Sequence, residues 1–143
     1  MISNFSDKIL YLSKTYEGSK HDKGICNEEP LMFPDDNVQR FLWQDTGFQG
    51  HAPSCIMVLQ PIKKKKDVEL SPKEKKYNSS VSKFRVYVEH AISGVKRMRI
   101  VKECLRNWRQ GCRDKVMEMA CALHNFRISL RPQKKQPIFA SKI

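Results

Sequence analysis

Four residues within VSKFRVYVEHAISGVK (81–96) are spaced to act together: Arg85, Glu89, Ser93 and Lys96. Steps of four, four and three stack their side chains on one side of a helix. One carboxylate then stands between two cations. That arrangement suits a site that holds a metal ion through oxygen and meets a phosphate backbone through its bases. A surface helix with spaced charge pairs, each worth about 0.2–0.5 kcal/mol, gives the same stripe and is its commoner origin. A second carboxylate, Asp45, sits where the strand-like RFLWQ (40–44) enters the glycine turn Asp45-Thr46-Gly47-Phe48-Gln49-Gly50. Strand C-terminal ends line ligand crevices in α/β sheets, and a carboxylate there is a natural Mg²⁺ ligand. A capping or turn aspartate is the ordinary alternative. If Asp45 and Glu89 converged on one metal pair, phosphodiester cleavage would be within reach. Their separation along the chain is by itself weak ground for it.

The elements that must position these groups follow from periodicity and punctuation. Val81, Phe84, Val88, Ile92 and Val95 recur at the spacing of one buried helical face. Ser71-Pro72-Lys73-Glu74 has the form of a helix start, with Ser at the cap, Pro in the first turn and Glu three residues on. A break or pause is expected near Asn78-Ser79-Ser80, and the helix ends near Arg97 to Arg99. Ile100 to Arg109 reads as either extended or loop. Asp114 to Ile128 is a second amphipathic helix, with Val116, Met119, Ala120, Leu123 and Phe126 or Arg127 along one side. Its acid lies at the start and its base at the end, as the macrodipole favours.

Upstream, KILYLSKT (8–15) reads as a strand. Ser19 or Asp22 caps a short helix over 22–29 that Pro30 stops. Pro34-Asp35-Asp36-Asn37 is a turn cluster, and CIMVL (55–59) has the length and composition of a buried strand. Trp43 and Trp108 are expected to pack rather than stack on bases. No internal repeat is present.

Composition narrows the class. The chain has 143 residues, 40% of them apolar and 29% charged, which is ordinary globular composition. Lys and Arg number 27 against 15 acids, for a net charge of +12. With a pI near 9.7, a polyanion partner is indicated, nucleic acid ahead of membrane. No apolar run reaches membrane-spanning length, and MISNFSDKILYLSK lacks the charged-then-apolar order of a signal peptide. Five scattered cysteines, an odd number, argue for reduced thiols inside a cell, mostly as small buried apolar residues. No Cys or His cluster has zinc spacing.

Several ordered segments together resemble the C-terminal part of a DDE-type transposase of the insertion-sequence and Harbinger-like group, the DDE superfamily endonucleases. They are KILYLSKTYEGSKHDK (8–23), LWQDTGFQGH (42–51), QPIKKKK (60–66), LSPKEKKYNSSVSKFRVYVEHAISGVKRMRIV (70–101) and MACALHNFR (119–127). The resemblance implies an α/β (α+β mixed sheet) architecture: a partial RNase H-like fold lacking its first strands, with two long C-terminal helices. Residues 1–128 would form the C-terminal part of the catalytic domain and 129–143 a flexible basic tail. It also implies that Asp45, in the family's D-x-G-[FY]-x-G turn, is the second catalytic aspartate. Glu89 is then the catalytic glutamate of R-x₃-E-x₆-K, and both would bind two Mg²⁺ (or Mn²⁺) ions in a complete enzyme. Arg85 and Lys96 would contact DNA phosphates. Related enzymes place Tyr three residues before that Arg, where this chain has Ser82, so no role carries over there.

The first catalytic Asp of the family, on an early strand in a D-G-T context, has no match here. Asp7 lies in the turn-like SNFSDK, and Asp22 in GSKHDK reads as a cap. The expectation is a fragment, inactive alone, whose strand at 8–15 lacks its ladder partner: either one part of an enzyme that acts only when joined to or paired with an upstream half, or, equally, a decayed remnant. Some relatives are encoded in two overlapping frames. The complete enzyme would cleave DNA at transposon ends, join the 3′ ends to target DNA, and assemble as a homo-oligomer. Lys63, Lys64, Lys65 and Lys66 read as a DNA backbone clamp, with a nuclear import signal or a solvated loop as the other readings. A non-catalytic basic DNA-binding module derived from a transposase is the main alternative. An RNA-binding protein ranks last, because RNP-like aromatic motifs are lacking. The expected location is the cytoplasm of a bacterial host, or the nucleus of a eukaryotic one.

Overall fold

Strands of only two or three residues cannot satisfy their own backbone groups, so side chains from helices complete them. A computed structural model of the chain describes residues 1–33, 38–64, 66, 69–107 and 109–131. The element order is β1 (Ile2–Ser3), β2 (Ile9–Tyr11), α1 (Asp22–Glu28), β3 (Phe41–Trp43), a 3₁₀ turn (Thr46–Phe48), β4 (Met57–Leu59), α2 (Pro72–Val95), α3 (Arg99–Lys102) and α4 (Cys112–Ser129). The chain divides into two compact units, residues 1–15 with 86–143 and residues 16–85. The architecture is α+β. Among the described residues the strands form two separate two-stranded sheets instead of one mixed sheet.

In the unit formed by residues 1–15 and 86–143, β1 and β2 are an antiparallel pair that matches Ile2 with Tyr11 and Ser3 with Ile9. The strand expected over 8–15 is thus shorter, and it has a ladder partner at the N-terminus. The connecting turn is built by Asn4, whose side chain accepts from the N–H groups of Ser6 and Lys8 at 3.0 Å each. Asp7 adopts φ 62° there, a left-handed conformation that Asp tolerates. Ile9 is held a second time. Its N–H donates to Asn125 Oδ1 at 2.8 Å, and its carbonyl accepts from Asn125 Nδ2 at 2.8 Å. A carboxamide has one donor edge and one acceptor edge, so it stands in for a neighbouring strand. The core of this unit is Ile9, Val95, Ala120 and Cys121, with Leu12, Met98 and Val101 against it. Burial pushes the Cys121 thiol up in pKa, consistent with a packing role.

Helix α4 turns a different face inward from the one that periodicity indicates. Ala120, Cys121 and His124 are buried, whereas Met119, Leu123 and Phe126 are 64%, 49% and 64% exposed. The cause is Gly94 on α2. A Cβ there would collide with His124 Cε1, so the missing side chain is the space that the imidazole fills. Helix α2 ends at Val95, before the expected Arg97, and α3 forms inside the stretch read as extended or loop. The Thr15 N–H donates to Asp114 Oδ1 at 2.6 Å, tying the chain after β2 to the first turn of α4.

In the unit of residues 16–85, β3 and β4 are parallel, matching Phe41 with Met57, Leu42 with Val58 and Trp43 with Leu59. Strand β4 is not fully buried, since Met57 is 49% exposed. Helix α1 begins at Asp22 with His21 in the capping position, so neither Ser19 nor Asp22 caps it, and it stops before Pro30 as expected. The start of α2 is a reciprocal capping box. Glu74 accepts from the Ser71 N–H at 2.7 Å, and Ser71 Oγ accepts from the Glu74 N–H at 3.3 Å. No pause occurs at Asn78-Ser79-Ser80. Asn78 turns outward and pairs with both backbone groups of Ile62, at 2.8 and 3.0 Å, while Ser80 Oγ donates to the Lys76 carbonyl at 3.1 Å. Trp43 packs on Phe84 with ring centroids 5.1 Å apart. The turn cluster at 34–37, Lys65, Trp108 and the tail from 132 onward lie outside the described residues.

Two outcomes test this account. Asn125→Ala leaves the N–H and carbonyl of Ile9 without their partner and should lower unfolding stability by about 1–3 kcal/mol in denaturant titration. A loss near zero would show that the amide is not holding β2. Hydrogen bonding to Thr15, through its side chain and then its main chain, holds the Asp114 carboxyl below its usual range, with a smaller contribution from Lys14. A group depressed in the folded state contributes stability above its unfolded pKa and loses it as pH falls through the folded one. Asp114→Asn should therefore lower the melting temperature at neutral pH and flatten the acid-side loss below about pH 4. Superimposable acid curves for the two proteins would refute the tether.

Candidate active site and nucleic-acid interface

Asp45 is positioned by two local features. Strand β3 ends at Trp43, and the chain then tightens into the 3₁₀ turn, for which Asp45 is the capping residue. Its Oδ1 accepts from the Thr46 N–H at 2.7 Å. The turn-capping role and a catalytic role are thus compatible, because one oxygen fixes the side chain and leaves the other to face outward. That second oxygen, Oδ2, lies 3.5 Å from Arg85 Nη1 on α2. Both groups are well exposed, Asp45 at 49% and Arg85 at 63%. Gly50 takes φ 82° in this turn, a backbone state that glycine adopts without a Cβ clash. The Gln60 side chain donates to the Phe48 carbonyl at 3.1 Å and fastens the turn to the end of β4.

Glu89 is exposed on α2, one turn after Arg85. The helical stacking expected for Arg85, Glu89 and Ser93 is real, because α2 is continuous over all three. Lys96 falls just past the last helical residue, with its N–H still donating to the Ile92 carbonyl at 2.9 Å. The structure brings Asp45 and Arg85 together in the unit of residues 16–85, while Glu89 and Lys96 belong to the other unit. Lys63, Lys64 and Lys66 are exposed in the connection between β4 and α2, and Lys65 lies outside the described residues.

Asp45 and Glu89 offer hard, exposed carboxylate oxygens, the donor chemistry that Mg²⁺ and Mn²⁺ take. Asp45 fits a ligand role because its orientation is fixed and its neighbouring cation sits on a long, solvent-exposed side chain able to swing away. Among the described residues, no group of three Asp, Glu, His or Cys side chains is gathered to hold an ion. All five cysteines are free, and only Cys121 is buried; Cys26 and Cys112 are half-buried, and Cys55 and Cys104 are exposed. The expectation that most are buried therefore does not hold. Asp7 lies in the β1–β2 turn, as its sequence context indicated. Among the described residues no helix is long and apolar enough to cross a membrane.

Sequence reasoning passed over a second basic cluster. His124 is 2% exposed. Its Nε2 meets the Asp7 carbonyl at 2.7 Å, and its Nδ1 meets Arg127 Nη2 at 3.2 Å. A carbonyl only accepts and a guanidinium only donates, so a neutral imidazole protonated at Nε2 satisfies both. Arg97 and Arg131 lie close to Arg127, which is pushed down in pKa by burial and then by these two like charges. The available signal was HNFR (124–127) with Arg131 four residues on, a spacing that puts two guanidiniums on one helical face.

No curated protein and no solved structure matches this chain. A family model does, over residues 1–125, and its description is DDE superfamily endonuclease. Taken with the strand-end Asp45 and the Arg85–Glu89 helix, a match across that much of the sequence establishes that the chain belongs to the DDE superfamily endonucleases.

Proposed function

We propose that this chain carries the second and third catalytic carboxylates, Asp45 and Glu89, of a DDE transposase of RNase H-like design. The complete enzyme hydrolyses phosphodiesters at transposon ends and joins the freed 3′ ends to target DNA. Residues 1–128 are the catalytic part and 129–143 a basic tail. The observation that carries this reading is the Asp45 turn: a carboxylate at a strand end, one oxygen tied to its own turn and the other facing a cation. Mg²⁺ or Mn²⁺, two ions in a complete enzyme, would activate the nucleophile and stabilise the leaving oxygen. Asp45 and Glu89 would hold them, while Arg85 and Lys96 orient phosphates beside the scissile bond. Lys63 to Lys66 add sequence-independent backbone attraction. The first catalytic Asp of the family's set has no counterpart among these 143 residues, so this reading makes the chain inactive alone: either part of an enzyme that acts with an upstream half in an oligomer, or a decayed remnant. It works where chromosomal DNA is reached, in the cytoplasm of a bacterial host or the nucleus of a eukaryotic one.

A non-catalytic DNA-binding module is the second reading. The net charge of +12 favours it, since charge alone supports backbone binding without any chemistry.

The test is DNA cleavage with Mg²⁺ or Mn²⁺ by this chain, alone and joined to the coding segment upstream of it. No cleavage is expected alone. Cleavage by the joined protein should be abolished in Asp45→Asn and in Glu89→Gln, with binding retained. Robust cleavage by the 143-residue chain would overturn the need for an upstream half. Cleavage by the joined protein that survives both substitutions would overturn the assignment of the two residues. An inactive joined protein that still binds DNA would favour the second reading.

The Arg85–Asp45 pair supplies a separate check. Exposed pairs contribute about 0–1 kcal/mol. Arg85→Gln should therefore change unfolding stability by less than about 1 kcal/mol while weakening DNA binding. A larger stability loss with unchanged DNA binding would make Arg85 a structural residue.

A further inference from the structure

A cavity of about 200 Å³ opens within the unit of residues 1–15 and 86–143. It is lined by Arg97 from the turn after α2, by Arg127 from α4, by Arg131 just beyond the end of α4, and by Ser93, His124 and Asp7 among others. Its volume is several times the roughly 30 Å³ share of a water molecule, so a tetrahedral oxyanion fits with part of its hydration. Three guanidiniums face one carboxylate here. Among the described residues none of the three has an ion-pair partner. Arg127 Nε is buried and donates to nothing, although an N–H removed from water normally finds an acceptor.

The central member of the cluster, Arg127, is also held in place. The His124 ring fills the space over Gly94, where an added Cβ would collide with it, and its Nε2 is anchored on the Asp7 carbonyl. Arg127 is fixed in turn through His124 Nδ1. Burial, and then the like charges of Arg97 and Arg131, push the Arg127 pKa down, and crowding three like charges raises the energy of the empty arrangement. A bound anion would relieve it. Guanidiniums with donors in fixed planes match phosphate oxygens in particular.

We propose that Arg97, Arg127 and Arg131 form a phosphate-binding site, separate from the Asp45 and Glu89 carboxylates, that grips a phosphodiester of bound DNA. Only the source of the phosphate rests on the nuclease reading; the site itself does not.

The experiment titrates the purified 143-residue chain with inorganic phosphate by calorimetry, then repeats it with a short duplex present. Binding should weaken at least tenfold in an Arg97→Gln, Arg131→Gln double variant. Both residues are exposed, so the fold should survive, as a circular dichroism spectrum would verify. The same variant should reduce the log–log salt slope of duplex binding by about one to two. Competition between duplex and phosphate identifies DNA as the source. Phosphate binding that the double variant weakens but duplex leaves untouched supports the site with a free anion as its ligand. No phosphate binding, or binding that the double variant leaves intact, overturns the proposal. Asp45→Asn and Glu89→Gln should leave phosphate affinity unchanged, so failure of the nuclease reading and failure of this site are told apart.

Discussion

A strand as short as β2 leaves backbone groups that must find partners elsewhere, and in each unit an asparagine from a helix takes both backbone groups of one residue, in β2 in one unit and in the loop after β4 in the other. Asn125 of α4 takes both the N–H and the carbonyl of Ile9, and Asn78 of α2 takes both from Ile62. The chemistry is the same in the two places. A carboxamide offers a peptide-like donor and acceptor on a side chain long enough to leave its own helix. The contexts differ in consequence. Ile9 belongs to the core, so an unmade bond there would carry a desolvation penalty, whereas Ile62 is exposed and water can replace the lost partner. The Asn125 clamp therefore ties β2 to α4, whose inward face follows from the room that Gly94 leaves for His124. The Asn78 clamp fixes the loop that leads from β4 into the lysine run.

Much of the framework was legible because local physics decided it. Ser71 and Glu74 cap α2 reciprocally, as their spacing required, and Gly50 takes the positive φ that marked the turn after Asp45. The two long helices and the strand-to-turn junction at Asp45 therefore follow from residues close together in sequence. Three features were not legible, and each depends on a distant partner. Asn78, Ser79 and Ser80 read as a helix break because such side chains compete for backbone groups in isolation. In the folded chain Asn78 has Ile62 to bond, so the competition disappears. The inward face of α4 could not be read from apolar spacing, because a polar residue, His124, is the best-buried member. Only the missing side chain of Gly94 makes room for it. The pairing of β2 with Ile2–Ser3 depended on a strand too short to show a period.

The candidate site was legible in its residues and only partly in its geometry. Asp45 was singled out by its strand-end position and Glu89 by its stripe, and each lies on the kind of element expected. What spacing could not reveal is that Arg85 faces Asp45 at 3.5 Å, since a helix residue and a turn residue forty positions apart share no periodicity. The basic cavity escaped for a related reason. Its cations come from the turn after α2, from α4 and from just beyond α4, elements brought together where His124 fills the space over Gly94.

The chain's positive charge is thus spent in two physically different ways. Arg85, Lys63, Lys64 and Lys66 are exposed, so water and salt screen them, and their pull on any polyanion is adjustable and weak per residue. Arg85 can release Asp45 at little cost for the same reason. Arg127 is partly withdrawn from water and crowded by Arg97 and Arg131, so its attraction to an anion is less screened and more directional. A surface that relied on the exposed lysines alone would gather DNA without fixing its register. Arg127, anchored on a buried imidazole, keeps its guanidinium in one place, so an anion gripped there would be held in position as well as attracted.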